Sequence, residues 1–188
     1  MIALIVRRAF FIASLVALSA AQAQPLVDET QDFGLAPSAA MRLDDHASPT
    51  PREIPGARTI ATAEMRRLLQ ASEEERPLLF DVLGGEGHAT LPGTIWLPGA
   101  GRGESFEDEV QAQLAKVLEF ATGANRGRML VFFCTGPRCW LSYNAALRAV
   151  NLGYGNVRWY RGGIQAWGAG GGALSEPRAI WQRPRAED

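Results

Sequence analysis

The sequence is short of several things, and each shortage narrows what it can do. Cysteine occurs twice in 188 residues and histidine twice. A structural zinc would need its four ligands from Cys134, Cys139, His46 and His88, and both histidines lie far from the cysteines along the chain, so no metal is expected. Four residues separate the cysteines. That is not the Cys-x-x-Cys of a thioredoxin-like pair, and no histidine follows Cys139 as haem attachment requires. Neither charge is in excess, with 19 basic residues against 20 acidic. A nearly neutral surface leaves no footprint for nucleic acid. No Ser-His-Asp arrangement, internal repeat or low-complexity tract is present. The run "GAGGGAL" follows the last expected helix rather than joining a strand to a helix start, so it reads as a linker and not as a phosphate loop. No organic cofactor is called for.

Long apolar runs are scarce too, with one exception at the start. "MIALIVRRAFFIASLVALSAAQAQP" has a basic region at Arg7 and Arg8, an apolar run from Ala9 to Ala20 and a small-residue site at Ala21-Gln22-Ala23. This is the pattern of a secretory signal peptide, residues 1–23, cleaved after Ala23. Cleavage removes Arg7 and Arg8, so 19 basic residues become 17 against 20 acidic, a net charge of −3. The expected location is periplasmic or secreted, an oxidising setting in which two thiols are under pressure to pair. No other run is long enough to span a bilayer, so no membrane contact is expected after cleavage.

What is present falls into three parts. Residues 24–55 are polar, scattered with proline and without a period; they read as an extended arm that either hugs the domain or binds a partner. Residues 56–172 alternate strand and helix patterns. "RTIATAEMRRLLQAS" predicts a short strand and then a helix capped by Thr62, with Met65, Leu68 and Leu69 on one face. "PLLFDVL" (Pro77 to Leu83) and "TIWLPG" (Thr94 to Gly99) read as buried strands. Ser105 opens the next helix, with Asp108 three residues on in capping-box fashion, and Val110, Leu114, Val117, Leu118 and Ala121 give that helix its apolar face. "MLVFFC" (Met129 to Cys134) is the strongest strand signal. A helix from Cys139 to Leu152 with Gly153 as its stop, a strand at Val157 to Gly163 and a short helix over "IQAW" complete the pattern. Residues 173–188 are a proline-rich tail. The expected class is α/β, a parallel sheet of about five strands with helices on both faces.

In such sheets ligands bind beyond the carboxyl ends of the strands. Cys134 stands at that point on the most apolar strand, and "TGPRC" turns from it into a helix. A helix start offers unpaired N–H groups and a partial positive charge, which lowers a thiol pKa and cradles an anion. Arg138, within the loop, can add a fixed charge. Residues alone therefore point to a nucleophilic cysteine, Cys134, in an anion cradle.

The order strand, "FFC", tight loop, helix, then "LGYGNVRWYRGGIQAW" resembles a single-domain rhodanese. "LFDVL" and "LPGTIWLPGA" resemble further segments of that family, and the likeness runs from about Ile54 to Gly172. "PGTIWLPGAG", "CW-x-S-x-NAA-x-R" and "GY-x-NV-x-WYRGG" also resemble the exported rhodanese-like proteins of PQQ-dependent alcohol catabolism, the CXXCW-motif family. Here the spacing is longer, Cys134-TGPR-Cys139-Trp140. The resemblance implies a rhodanese-like fold and a persulfide-forming Cys134. It implies an active loop of Cys134, Thr135, Gly136, Pro137, Arg138 and Cys139, followed by Trp140. The loop departs from the family in having Thr135 directly after the cysteine and Cys139 in last place, and Pro137 removes one N–H donor. Related phosphatases need a longer cradle ending in arginine; here Trp140 holds that position, so phosphatase activity is not expected.

Several roles stay open from sequence. Cys139 is a buried small residue, a thiol that resolves a Cys134 persulfide or sulfenate, or a permanent disulfide partner. Trp140 shields the sulfur or packs in the core. Arg161 lines the anion pocket or pairs with a surface carboxylate. Asp81 is expected to accept N–H groups of a turn, His88 to lie at the surface, and Gly162 and Gly163 to permit a tight turn. Three functions fit: a sulfurtransferase acting on a small sulfur-containing anion, a thiol–disulfide redox protein serving an exported quinoprotein or cytochrome, and a non-catalytic binding module.

Overall fold

The structure is a computed structural model and describes residues 28–85 and 87–177. The expected signal peptide and the tail beyond residue 177 lie outside the described residues. The elements run β1 (Arg58–Ile60), α1 (Thr62–Leu69), β2 (Leu78–Asp81), β3 (Ile95–Trp96), α2 (Glu109–Thr122), β4 (Leu130–Phe133), α3 (Trp140–Asn151), β5 (Val157–Tyr160) and α4 (Gly163–Ala169). The strands form one sheet in the order β1-β5-β4-β2-β3. Every pairing is parallel. The expected class, five parallel strands with helices on both faces, is what the chain forms.

The two faces follow from the pleat. Successive side chains of a strand point to opposite sides. Leu130 and Phe132 therefore join a cluster with Phe80, Trp159, Leu114, Leu118 and the α3 residues Tyr143, Ala146 and Leu147. Val131 and Phe133 join Leu79, Tyr160, Met65 and Trp167 on the other side. Helices α2 and α3 thus cover one face, and α1 and α4 the other. Phe80 and Phe132 stack across neighbouring strands at 5.0 Å. All four β4 residues are buried, as an unbroken apolar run in a two-sided sheet requires.

Several local boundaries differ from expectation. Helix α1 begins at Thr62, but Ala61 occupies the cap position without a side-chain bond. The arm's Glu29 carboxylate accepts the Thr62 N–H at 2.9 Å and its hydroxyl at 2.8 Å, so Thr62 receives a cap rather than being one. Helix α2 does not open at Ser105. Asp108 is its N-cap, accepting the Gln111 N–H at 2.8 Å. Its other oxygen accepts the Glu104 and Ser105 N–H groups, and Arg148 grips both oxygens, which fixes the helix start three residues later. β3 keeps only two of the six expected residues because it is an edge strand. Its chain then turns, with Gly99 N–H donating to Val82 and Ala100 N–H to Leu97. β5 ends at Tyr160, and Arg161 leaves the sheet. In the tail, Ser175 makes an antiparallel bridge to Thr90.

Candidate active site

At the carboxyl edge of the sheet Asp81, Phe133 and Tyr160 stand side by side in register. The chain leaves the sheet one residue past Phe133, at Cys134, and re-enters regular structure at Cys139, the N-cap of α3. The cysteine loop thus joins the end of β4 to the start of α3. Neighbouring elements hold the loop by its carbonyls. Ile164 N–H donates to Cys134 O and Gln165 N–H to Thr135 O, each at 2.9 Å. These bonds come from the first turn of α4 and need it close. Gly163 sits at φ +56°, and a Cβ there would overlap Cys134 O and the Thr135–Gly136 backbone. The glycine pair thus does more than permit a turn; Gly163 lets α4 press on the loop. The loop also folds on itself, Cys139 N–H donating to Gly136 O at 3.1 Å. Among the described residues the N–H groups of Thr135, Gly136 and Arg138 make no hydrogen bond.

Cys134 and Cys139 are joined as a disulfide, with their Cα atoms 6.3 Å apart, a separation that such a bond spans readily. Both are buried, at 1% and 6% exposure, in the cluster that holds Ile54, Trp140 and Leu141. The Thr135 hydroxyl lies 3.8 Å from the Cys134 sulfur. Arg138 is exposed and its guanidinium lies over the Phe33 ring at 4.8 Å. Trp140 packs edge-on against Tyr143 at 4.9 Å and donates its indole N–H to Pro49 O at 2.9 Å.

That last bond belongs to a larger feature. The arm lies across the loop and α3, and is tied there through its backbone. Thr50 gives its N–H and hydroxyl to Pro137 O, at 3.1 and 2.7 Å. His46 O accepts Trp140 N–H at 2.9 Å. Asn144 binds both the N–H and the carbonyl of Arg42, and the Tyr143 hydroxyl binds both those of Ser38. Among the described residues Arg161 pairs with no surface carboxylate, and its donors turn to the arm rather than into an anion pocket at the loop. It is buried at 2% exposure, donating to Glu29 O, Thr50 O and Thr50 Oγ1. Of the two readings of the arm, the one that has it hug the domain describes residues 28–55.

The residues of "CW-x-S-x-NAA-x-R" therefore hold structure together. Trp140 and Asn144 hold the arm. Ser142 accepts the Trp159 indole N–H at 3.0 Å. Arg148, fully buried, fans onto Ser105 O, Arg102 O, Gln111 and Asp108. Burial alone would raise the Asp108 carboxyl; Arg148 and the N–H groups of Gln111, Ser105 and Glu104 outweigh it and hold the pKa at about 2. This anchors the segment carrying Arg102, which lines a cavity of about 460 Å³ with Leu83, Gly84, Gly85, Pro98, Gly99 and Leu141. Neither cysteine is in that lining. Asp81 accepts the Leu83 N–H at 2.9 Å, as a turn carboxylate should, and its second oxygen meets His88 Nε2 at 2.8 Å. No spacing in the sequence marks that pair.

The arrangement is a single α/β domain built around a cysteine loop at the end of its central strand. The family model for the rhodanese-like domain matches residues 64–169, more than half of the chain, and the chain belongs to that family. No curated protein matches it. Solved structures align with part of it. A variant of EanB in complex with hercynine aligns at 18% identity and TM-score 0.49, covering 64% of this chain and 32% of its own. A thiosulfate sulfurtransferase from Pseudomonas aeruginosa aligns at 21% and 0.47, covering 68% and 22%. The BH2092 protein from Bacillus halodurans aligns at 20% and 0.47, covering 64% and 77%. The chain thus spans about a third of the EanB chain and about a fifth of the sulfurtransferase.

Proposed function

We propose that this chain is an exported rhodanese-like sulfurtransferase that takes sulfane sulfur from a small anionic donor onto Cys134. The observation that carries the reading is the position of Cys134, first residue past the central strand and first of a six-residue loop that runs into the start of α3. With the disulfide reduced, the Cys134 thiolate attacks the outer sulfur of a thiosulfate-type donor. The donor's S–S bond breaks, sulfite leaves with the electron pair, and a persulfide remains on Cys134. The N–H groups of Thr135, Gly136 and Arg138 and the positive end of α3 stabilise the anionic donor and the persulfide. Arg138, exposed beside the loop, attracts the incoming anion, while Cys139 and Trp140 close the loop.

In this reading residues 1–23 direct export, 24–55 form the arm, 56–172 the domain and 173–188 the tail. The protein works in the periplasm or outside the cell, where the Cys134–Cys139 disulfide is the oxidised resting form. Neither the site nor the relatives named above supports a quinoprotein or cytochrome partner or the narrower PQQ-associated family, and the proposal carries neither. The test is sulfite release from thiosulfate by fully reduced protein. Wild type should release it and Cys134→Ser should not. Reduced wild type that releases none refutes the reading.

A further inference from the structure

We propose that the sulfur taken up by Cys134 is not handed on but is expelled as hydrosulfide by Cys139, which makes the chain a sulfane-sulfur reductase that depends on a dithiol partner. The proposal rests on the reading of Cys134 as sulfur acceptor and adds the fate of the sulfur.

Three observations carry it. First, Cys139 is within bonding reach of Cys134, in the same six-residue loop. The turn closed by Cys139 N–H on Gly136 O brings it back toward Cys134. A thiol held in this way acts at an effective concentration that no diffusing acceptor reaches. Second, both cysteines are buried among Ile54, Trp140 and Leu141. The arm lies against the loop at Pro137 and Trp140. That cover hinders a protein-sized acceptor more than a small anion such as thiosulfate or cyanide, and Cys139 needs no access at all. Third, Cys139 begins α3 as its N-cap, and a helix start favours the thiolate that must make the attack.

The chemistry balances without a further reagent. The Cys139 thiolate attacks the Cys134 sulfur, a new S–S bond forms between the two residues, and the bond to the outer sulfur breaks. That sulfur leaves with the electron pair as hydrosulfide. Summed with the first step, one thiosulfate and two protein thiols give sulfite, hydrosulfide, one disulfide and one proton. The outer sulfur is reduced and the thiols are oxidised. The product is the disulfide form of the loop, and a second turnover requires a small dithiol or a dithiol protein to reopen it by exchange.

The experiment uses the full chain, reduced and then freed of reductant, mixed with thiosulfate in slight excess. Sulfite, sulfide and intact mass are read together, with and without cyanide. The expected result for wild type is one sulfide for each sulfite, protein lighter by two hydrogen atoms, and turnover that stops after one event until a dithiol is added. Cys139→Ser should release sulfite but no sulfide, stay heavier by one sulfur atom, and give thiocyanate with cyanide. Sulfite release with a stable persulfide and thiocyanate in wild type overturns this inference and leaves the sulfurtransferase reading standing. No sulfite from reduced wild type overturns both.

Discussion

Replacing Thr50 by valine isolates what the arm does for the loop. The Thr50 hydroxyl donates to Pro137 O at 2.7 Å and accepts from Arg161 Nε at 3.2 Å. Thr50 is fully buried, and valine has nearly its shape. The substitution removes a neutral hydrogen bond worth about 1 kcal/mol and one to a charged group worth about 1.5–3 kcal/mol. Arg161 keeps its bonds to Glu29 O and Thr50 O, so the lower end applies, about 2.5 kcal/mol in all. If the arm lifts as a local unit, its lifted population rises about 60-fold, at tenfold for every 1.4 kcal/mol. Two signals report it. Hydrogen exchange at Trp140 N–H, which donates to His46 O, should quicken by that order. Reduction of the Cys134–Cys139 bond by a dithiol protein should quicken with it. A variant with lowered Tm but unchanged exchange at Trp140 and unchanged reduction would refute the argument, because the arm would then be an inseparable part of the core.

Three further outcomes are expected. Asp108 has a folded pKa of about 2 against 3.8 ordinarily, so the native state binds fewer protons between those values. Its contribution, roughly 2 kcal/mol, is full above about pH 4 and is lost as pH falls toward 2; urea midpoints of wild type should drop across that window more than those of Asp108→Asn, and parallel curves would exclude the effect. Burial, with Arg102 and Arg42 nearby, pushes the His46 imidazole below its ordinary 6.5 against the opposing pull of Asp44, and its buried Nε2 has no partner among the described residues. Arm docking should therefore be full above about pH 6.5 and weaken below it, with proteolytic nicking of the arm rising on acidification in wild type but not in His46→Gln. Gly163→Ala combines a left-handed backbone with overlap on the loop and should cost about 3 kcal/mol and slow sulfite release. Gly153→Ala, also at positive φ but facing open space, should cost about 1 kcal/mol in chemical denaturation; equal costs would show that contact with the loop is not what fixes Gly163.

The middle of the sheet was legible because β2 and β4 are largely buried on both faces and read as apolar runs, "MLVFFC" above all. The position of Cys134 followed from where that run stops. Helix starts were less legible, because their caps come from afar. Thr62 is served by Glu29 of the arm, and the start of α2 is fixed by Arg148 of α3, each beyond any local window. The arm's seating was illegible for another reason. Ser38, Arg42, His46 and Pro49 are held by backbone N–H or C=O groups, which nearly every residue possesses and no sequence pattern advertises. Arg161 illustrates the same limit. An arginine beside a glycine pair at a strand end suggests an anion ligand, yet its three bonds go to residues more than a hundred positions earlier.

The seating of the arm also bears on where this chain can be cut without losing bonds. The span matched by the family model begins at residue 64, after the arm and after β1. A version cut there would leave the buried Arg161 cation, the Trp140 indole and the Asn144 amide without the acceptors and donors that now satisfy them. Losing those bonds costs several kcal/mol, a large part of the ordinary margin of a small domain. A piece that keeps all of these bonds begins at least 35 residues upstream of the family boundary, at Glu29, whose carboxylate caps α1 and whose carbonyl receives Arg161.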